Sequence, residues 1–487
     1  MAQQPGPAWS PAYTRLGCLL VLVSATTLPG GCGAVCRGPG CEAQWPNTRV
    51  SVLRGDDLRR STDVWSDAVA RFDGNDTHGA PWAVGMLGRT LLFGQPDARQ
   101  VLRTPYREGR GSWERLDRWT GPEGFGAALG TADFNGDGEL DLLVGAPDTD
   151  FDRGAAYLFR SAIQGTADAE AAALEIRGGA AGDRLGEQIA ICGDVTGDGL
   201  PDALVSMTWL ATPDHPSFDG RQVPDLGGGV VLLRSEALGG MEGVTEPWSL
   251  GPTWWGEQVG AGAGRALVCD RDLTGDGVVD LVIGAPFHDG EAGADSGRTY
   301  ILDGAVLPAT SPLGEAAIAV LEGTAGAWLG MSLTTLDLDG VAPAELAVGA
   351  PGFAEGIGRV VVYAARPLTR RYTPEPVFSF ARDGVAPDHF GRWIAEGDLD
   401  GDGISDLVVG APDLQDGGNG YDTGRAWVFR GGNRDLWLPE DTDLIADERV
   451  LGSEPFSRVG RAPLLVDLDD DGLDELVLAT RRASKSQ

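Results

Sequence analysis

Positive charge is scarce in this chain. Its 487 residues hold 38 Lys and Arg against 72 Asp and Glu, a formal charge of −34, and Lys485 is the only lysine. A surface of that sign repels phosphate backbones, which excludes nucleic acid as a partner. The same excess of oxygen ligands suits divalent cations. Histidine is almost absent: His78, His215, His288 and His389 form no HExxH or paired arrangement. The six cysteines include no CxxC pair, which argues against zinc. No GxSxG elbow occurs. The run from Gly260 to Gly264 ends at Arg265, where a dinucleotide fingerprint requires glycine. Beyond the N-terminus no segment is long and apolar enough to span a bilayer as a helix. These absences leave little room for an enzyme.

Glycine is abundant instead, at 74 residues, which disfavours helix-rich classes. An apolar share of 42% is enough for a large core. The N-terminus reads as an export signal, with Arg15 ahead of a short apolar run over residues 16–28. Leu28-Pro29-Gly30-Gly31-Cys32 resembles the lipobox of bacterial lipoproteins, with the leucine one place early. That resemblance implies a signal over residues 1–31, lipidation of Cys32 and a tether over 32–46; plain secretion is the alternative. The expected location is therefore outside the cytoplasm, as an outer-membrane or cell-surface lipoprotein or as a secreted protein, with only a lipid touching the membrane. Cys36 and Cys41 are close enough for a small disulfide loop. Cys192 and Cys269 each precede an acidic loop and read as small core residues rather than as a bridge.

The chain repeats itself. Asp133-Phe134-Asn135-Gly136-Asp137-Gly138-Glu139-Leu140-Asp141 precedes Leu-Leu-Val-Gly-Ala-Pro147. Equivalent nine-residue loops start at Asp194, Asp272, Asp398 and Asp467. A degenerate copy starts at Asp337, has Val341 in place of an acid and keeps Glu345; a fainter one starts at Asp73. Successive starts are 60 to 78 residues apart. Each period carries four strand signals, called A to D here; in the repeat around Asp133 they cover residues 125–131, 141–144, 154–160 and 173–177. Four antiparallel strands per period of this length predict a propeller blade.

A Phe-Gly or similar pair precedes each loop from the second copy onward: Phe125-Gly126, Leu185-Gly186, Trp255-Gly256, Leu329-Gly330, Phe390-Gly391 and Val459-Gly460. Gly-Ala-Pro follows four loops. This pattern resembles the FG-GAP repeat family, the seven-bladed propeller of integrin α subunits and of many bacterial surface proteins. The expected fold is all-β: a seven-bladed β-propeller of four-stranded antiparallel blades over residues 47–480, with a tail over 481–487. The hydrophobe of each Phe-Gly pair reads as core packing. The last loop lies so near the C-terminus that its blade has only an A strand over 463–466 and a B strand over 476–479. Residues 49–54 resemble a D strand and are expected to close that blade; no segment stands out as its C strand.

The loop chemistry points to Ca2+. Oxygens at positions 1, 3 and 5 of a tight loop can converge, glycine at 6 allows the turn, and a carboxylate at 9 completes the shell just before a strand. The expected ligand sets are Asp133, Asn135, Asp137 and Asp141; Asp194, Thr196, Asp198 and Asp202; Asp272, Thr274, Asp276 and Asp280; Asp398, Asp400, Asp402 and Asp406; and Asp467, Asp469, Asp471 and Glu475. The sets with Thr196 and Thr274 are expected to bind more weakly, and the Asp337 copy not at all. The ion is structural in this reading. The bland reading of a single loop is an Asp/Gly turn that needs no metal.

The longest insertions are B–C loops, on the face away from the acidic hairpins, at residues 207–228, 286–296 and 412–423. Their aromatics Trp209, Phe218, Phe287 and Tyr421 are the expected ligand contacts. The integrin resemblance also implies ligand binding on that face. Arg54-Gly55-Asp56 spells an adhesion tripeptide but aligns with a strand end and turn in other copies, and is given no role. The resulting expectation is a calcium-stabilised binding or adhesion module with a protein or glycan ligand. The alternatives are a hydrolase or lyase with its site in the channel, and a purely structural envelope scaffold.

Overall fold

Five B strands, Asp141–Ala146, Ala203–Met207, Leu281–Ala285, Glu345–Ala350 and Asp406–Ala411, are buried along their whole length. Strands covered on both faces need continuous apolar runs rather than alternation, and these are the Leu/Val-rich segments that follow each acidic loop. The computed structural model describes residues 48–54, 62–63, 70–73, 83–105, 109–111, 117–161, 165–210, 227–338, 340–363, 376–381, 387–413, 423–432, 446–452 and 458–481. The lipobox, Cys32, Cys36, Cys41, Gly55, Asp56, Phe218 and Tyr421 lie outside the described residues.

The strands assemble into seven sheets, one per blade, each built A-B-C-D with antiparallel pairing. Blade 2, for example, runs Leu129–Ala132, Asp141–Ala146, Ala155–Phe159 and Leu174–Arg177. Five of the seven sheets carry a fifth strand. It comes from the C–D connection of the next blade and pairs parallel to the D strand. Thr166–Asp168 lies on Asp117–Thr120, Gly243–Thr245 on Leu174–Arg177, and Ser311–Pro312 on Thr253–Trp255. Thr62–Asp63 and Gly109–Gly111 do the same for the sixth and seventh blades. Each strap covers an outer edge that would otherwise offer unpaired backbone groups.

The core lies between blades. Leu143, Leu158 and Ile176 of blade 2 pack with Val205, Val231 and Trp255 of blade 3. The paired glycines of the repeat are the two halves of this contact. A Cβ on Gly145 would lie 2.0 Å from the carbonyl oxygen of Gly186, in the next blade's Phe-Gly position. The same clash occurs for Gly410 against Gly460 at 1.9 Å, so no larger residue fits. The hydrophobes Phe125, Leu185, Leu329, Phe390 and Val459 are all buried.

Three sequence expectations are corrected. The first blade does not begin at Asp73, which ends the D strand Ala70–Asp73 of blade 7. Its A and B strands are Ala83–Leu87 and Thr90–Gln95, joined at Gly88 and Arg89, so a tight turn replaces the acidic loop. Residues Thr48–Arg54 do close the last blade, but as its C strand, between Glu475–Arg481 and Ala70–Asp73. In blade 4 the Phe-Gly position is filled by Ala263-Gly264, and Trp255 instead ends the D strand of blade 3.

Cys192 and Cys269 form a disulfide across 77 residues, in place of the expected free core thiols. They follow the A strands Leu185–Ile191 and Ala266–Val268 and join the inner edges of blades 3 and 4. A bridge closing a loop of this size typically contributes about 2–4 kcal/mol. The Cys192→Ser/Cys269→Ser variant should melt several degrees below the oxidised parent, and reductant should shift the parent but not the variant.

Candidate functional site

Every acidic loop is anchored at both ends by its own carboxylates. Position 1 caps the turn: Asp133 accepts backbone N–H bonds from Gly136 at 2.7 Å and Gly138 at 2.8 Å. Asp194, Asp272, Asp398 and Asp467 accept the equivalent bond from the glycine at position 6. Position 2 is an apolar plug, and Phe134, Val195, Leu273, Leu399 and Leu468 are all buried. Its N–H donates to the carboxylate at position 9, at 3.1 Å in blade 2 and 2.7 Å in blade 4.

That ninth carboxylate is the most buried carboxylate of the loop. In blades 2, 3, 4 and 6 its second oxygen accepts an N–H just beyond the C strand, from Ser161, Ser235, Gly304 and Gly431. Sequence reasoning assigned Asp141, Asp202, Asp280 and Asp406 to metal alone. The structure gives them a second task, tying strand B to the end of strand C. Burial pushes Asp280 and Asp406 up to about 6.

Blade 7 differs. Glu475 replaces aspartate and is 1% exposed. Its Oε2 accepts the Leu468 N–H at 2.8 Å, while Oε1 is buried with no hydrogen-bond partner. Asp469 Oδ1 is likewise buried and unpartnered, and its Oδ2 accepts from Arg54 Nη2 of the closing strand at 2.8 Å. Burial first, then the charges of Asp469, Asp471 and Asp467, push Glu475 up to about 7.

Among the described residues, two groups bring three carboxylates together with ligand oxygens within 4.8 Å: Asp398, Asp400 and Asp406 in blade 6, and Asp467, Asp469 and Glu475 in blade 7. In blade 2 the Asn135 amide donates to Asp137 at 2.9 Å. In blades 3 and 4 position 3 is Thr196 or Thr274, and each hydroxyl donates to an acid of its own loop. The degenerate blade 5 loop keeps the Leu338 N–H bond to Glu345 and exposes Val341 at its tip.

On the opposite face, Trp209 and Phe287 line one notch with Thr208, Gly260, Gly262 and Arg265. No helix among the described residues is long and apolar enough to cross a membrane.

Residues 125–159, 263–302 and 390–429 match the FG-GAP repeat family, and they coincide with strands A to C of blades 2, 4 and 6. The chain thus carries FG-GAP repeats within a seven-bladed β-propeller. The FG-GAP propeller is similar to Integrin alpha-PS2 of Drosophila melanogaster, 33% identical over 155 residues, covering 31% of this chain and 10% of that protein. It is also similar to Integrin alpha-4 of Xenopus laevis, 32% identical over 193 residues, covering 39% of this chain and 16% of that protein. A third relative is the Phosphatidylinositol-glycan-specific phospholipase D of Homo sapiens, 29% identical over 380 residues, covering 73% of this chain and 43% of that enzyme. Each match thus spans less than half of the relative's own length.

Proposed function

We propose that this propeller is a calcium-stabilised binding or adhesion module that works outside the cytoplasm. One observation carries the calcium: the buried, unpartnered oxygens of Glu475 and Asp469 within a three-carboxylate cluster. Leaving such groups desolvated and unpaired is costly. A hard dication that takes six to eight oxygens removes that cost. Asp398, Asp400 and Asp406 would hold a second ion with Asp402, and Asp467, Asp469 and Glu475 the first with Asp471. The loops of blades 2, 3 and 4 present fewer charged oxygens, and their sites are the weaker ones. The ion would supply charge neutralisation and loop geometry, and no chemical step is assigned to it.

The Cys192–Cys269 bridge supports an oxidising, extracytoplasmic setting. The signal-like N-terminus agrees, with Cys32 as the point of lipid attachment. Integrin relatives and the long B–C loops support a binding role for the face away from the acidic hairpins, with a protein or glycan as ligand. The enzyme among the relatives does not alter this reading, which assigns no catalytic group.

Calorimetric titration of Ca2+ into metal-stripped protein tests the proposal. The tightest sites should vanish in Glu475→Gln and Asp400→Asn, while Asn135→Ala leaves them in place. Absence of any heat of binding at millimolar Ca2+ would refute the calcium assignment.

A further inference from the structure

The residue before each Phe-Gly pair adopts the left-handed conformation, which is costly for any side chain beyond glycine. Blades 2 and 4 place Gly124 and Gly262 there, with φ of 79° and 67°. Blades 3 and 7 place Arg184 and Arg458, with φ of 55° and 51°, and blades 5 and 6 place Trp328 and His389, with φ of 57° and 56°. Two bulky rings are therefore held where glycine would be easier. They stack on one another, with centroids 5.9 Å apart and planes at 11°. Phe287, from the B–C loop of blade 4, meets the Trp328 ring edge-on at 6.2 Å. Phe287 and Trp209 share the notch between blades 3 and 4. Trp209, Phe287, Trp328 and His389 thus form an aromatic arc across four consecutive blades, at the strand ends opposite the acidic hairpins.

Polar groups border the arc. Arg265 follows the Ala263-Gly264 pair of blade 4, lines the notch and pairs with Glu187. Arg392 follows Phe390-Gly391 in blade 6 and pairs with Asp413 at 3.4 Å, and His389 Nδ1 lies 3.0 Å from the same carboxylate. Burial would raise Asp413, but the His389 hydrogen bond and the Arg392 charge hold it below the usual carboxylate range. Both pairs are partly exposed, with side-chain exposures of 26% and 13% for Arg265 and Glu187, and 32% and 25% for Arg392 and Asp413.

We propose that this arc binds a neutral saccharide, which names a ligand class for the binding module proposed above and rests on that reading. Aromatic faces select a ligand with a flat apolar surface. Guanidinium groups only donate and ionised carboxylates only accept, so each pair offers both functions side by side with no net charge. A sugar ring has both features: C–H groups on one face and hydroxyls, each donor and acceptor, at its rim. An anionic ligand would meet Glu187, Asp413 and a chain of charge −34. A cationic one would meet Arg265 and Arg392.

Calcium-loaded full-length protein should be tested on an array of neutral oligosaccharides built from glucose, galactose, mannose and N-acetylhexosamines, alongside uronate oligosaccharides and acidic and basic peptides. Retention of at least one neutral glycan is expected, with quenching of tryptophan fluorescence by the same free sugar. Trp209→Ala and Trp328→Ala should each weaken binding about tenfold or more. Phe151→Ala, which alters an 87% exposed side chain outside the arc, should not. Melting curves report whether each variant folds, and Trp209→Ala tests the arc without touching a left-handed residue. Binding of uronates or peptides alone would overturn the saccharide and leave the binding module standing. Folded, calcium-loaded protein that retains no neutral glycan, or retains one equally well in both Trp variants, would overturn this inference alone.

Discussion

Stripping calcium from the protein should lower its melting temperature by more than 10 °C, and returning millimolar Ca2+ should restore it. Five full acidic loops each hold four oxygen-bearing side chains at positions 1, 3, 5 and 9 of nine residues, three or four of them carboxylates. A site filled at a hundredfold excess over Kd contributes about 2.7 kcal/mol. Two such sites, at the convergent clusters of blades 6 and 7, already match a large part of the 5–15 kcal/mol typical of whole domains. The weaker sites proposed for blades 2, 3 and 4 should add smaller amounts. Glu475→Gln should lose most of the blade 7 share while gaining some metal-free stability, because it removes a buried charge. The pH dependence gives the same argument a sign. Without metal, Glu475 is pushed up to about 7 from an ordinary 4.5, so the folded state holds a proton that the unfolded state releases. Metal-free protein should therefore gain stability as pH falls from about 7 toward 5. Calcium-loaded protein should lose stability over the same window, because protons compete with the ion. Differential scanning fluorimetry at pH 5.5, 6.5 and 7.5, with Ca2+ and with chelator, reads both slopes. Identical slopes, or a melting temperature indifferent to chelator, would contradict the site.

What the sequence makes legible is whatever repeats without interruption. The acidic loops show plainly because carboxylate spacing, the position-6 glycine and the apolar strand behind them are all local. Seven blades follow from that count plus the first, which breaks the pattern. There the hairpin is cut to Gly88 and Arg89, and the nearest acidic run, at Asp73, belongs to the D strand of blade 7 and so gives a false start for the repeat. Yet Gly94-Gln95-Pro96 retains the Gly-x-Pro end of the motif, and a Cβ on Gly94 would meet the Gly126 carbonyl oxygen at 2.0 Å, as in blades 2, 4, 5 and 6. That tripeptide was the available signal. Blade 4 hides its pair in the same way, since Ala263 satisfies a tightly packed position that elsewhere takes Phe or Leu.

Other features are not local at all. The disulfide joins cysteines 77 residues apart, and only the adjacency of blades 3 and 4 brings them together. The ninth carboxylates look like plain ligands in sequence. Their bonds to Ser161, Ser235, Gly304 and Gly431 depend on where strand C ends, some 20 to 33 residues later. The aromatic arc was half visible. Trp209 and Phe287 lie on long insertions, whereas Trp328 and His389 sit beside the repeat motif, where a hydrophobe or ring reads as core.

Deleting Thr48–Arg54 should cost the protein its cooperative fold. This segment is the central strand of the last sheet, paired at seven positions with Glu475–Arg481 and at four with Ala70–Asp73. It comes from one end of the chain and its main partner from the other, so this pairing joins strands that are remote in sequence and closes the ring. Leu53 is 2% exposed and packs with Leu399, Val408, Leu476 and Leu478 between blades 6 and 7. On the other side, Val477 and Leu468 pack with Leu91 and Phe93 of blade 1. Without the strand, the B strand of blade 7 has a bare edge and both neighbouring cores open. Each large apolar side chain returned to water costs about 1.5–3 kcal/mol, so a handful exceeds ordinary domain stability. A free edge also invites pairing between molecules. The deletion variant should therefore show broad, non-cooperative melting, rapid proteolysis and higher oligomers in size-exclusion chromatography. Leu53→Asp should follow it in milder form, since a buried unpaired carboxylate is strongly disfavoured. Removal of residues 1–46 is the matched control and should leave the melt unchanged, because Thr48 is the first paired residue among those described. A synthetic peptide spanning residues 47–60, added in trans, should restore a cooperative transition by strand addition. If the deletion melts like the parent, Thr48–Arg54 does not close the ring and the order of strands in the last blade is wrong.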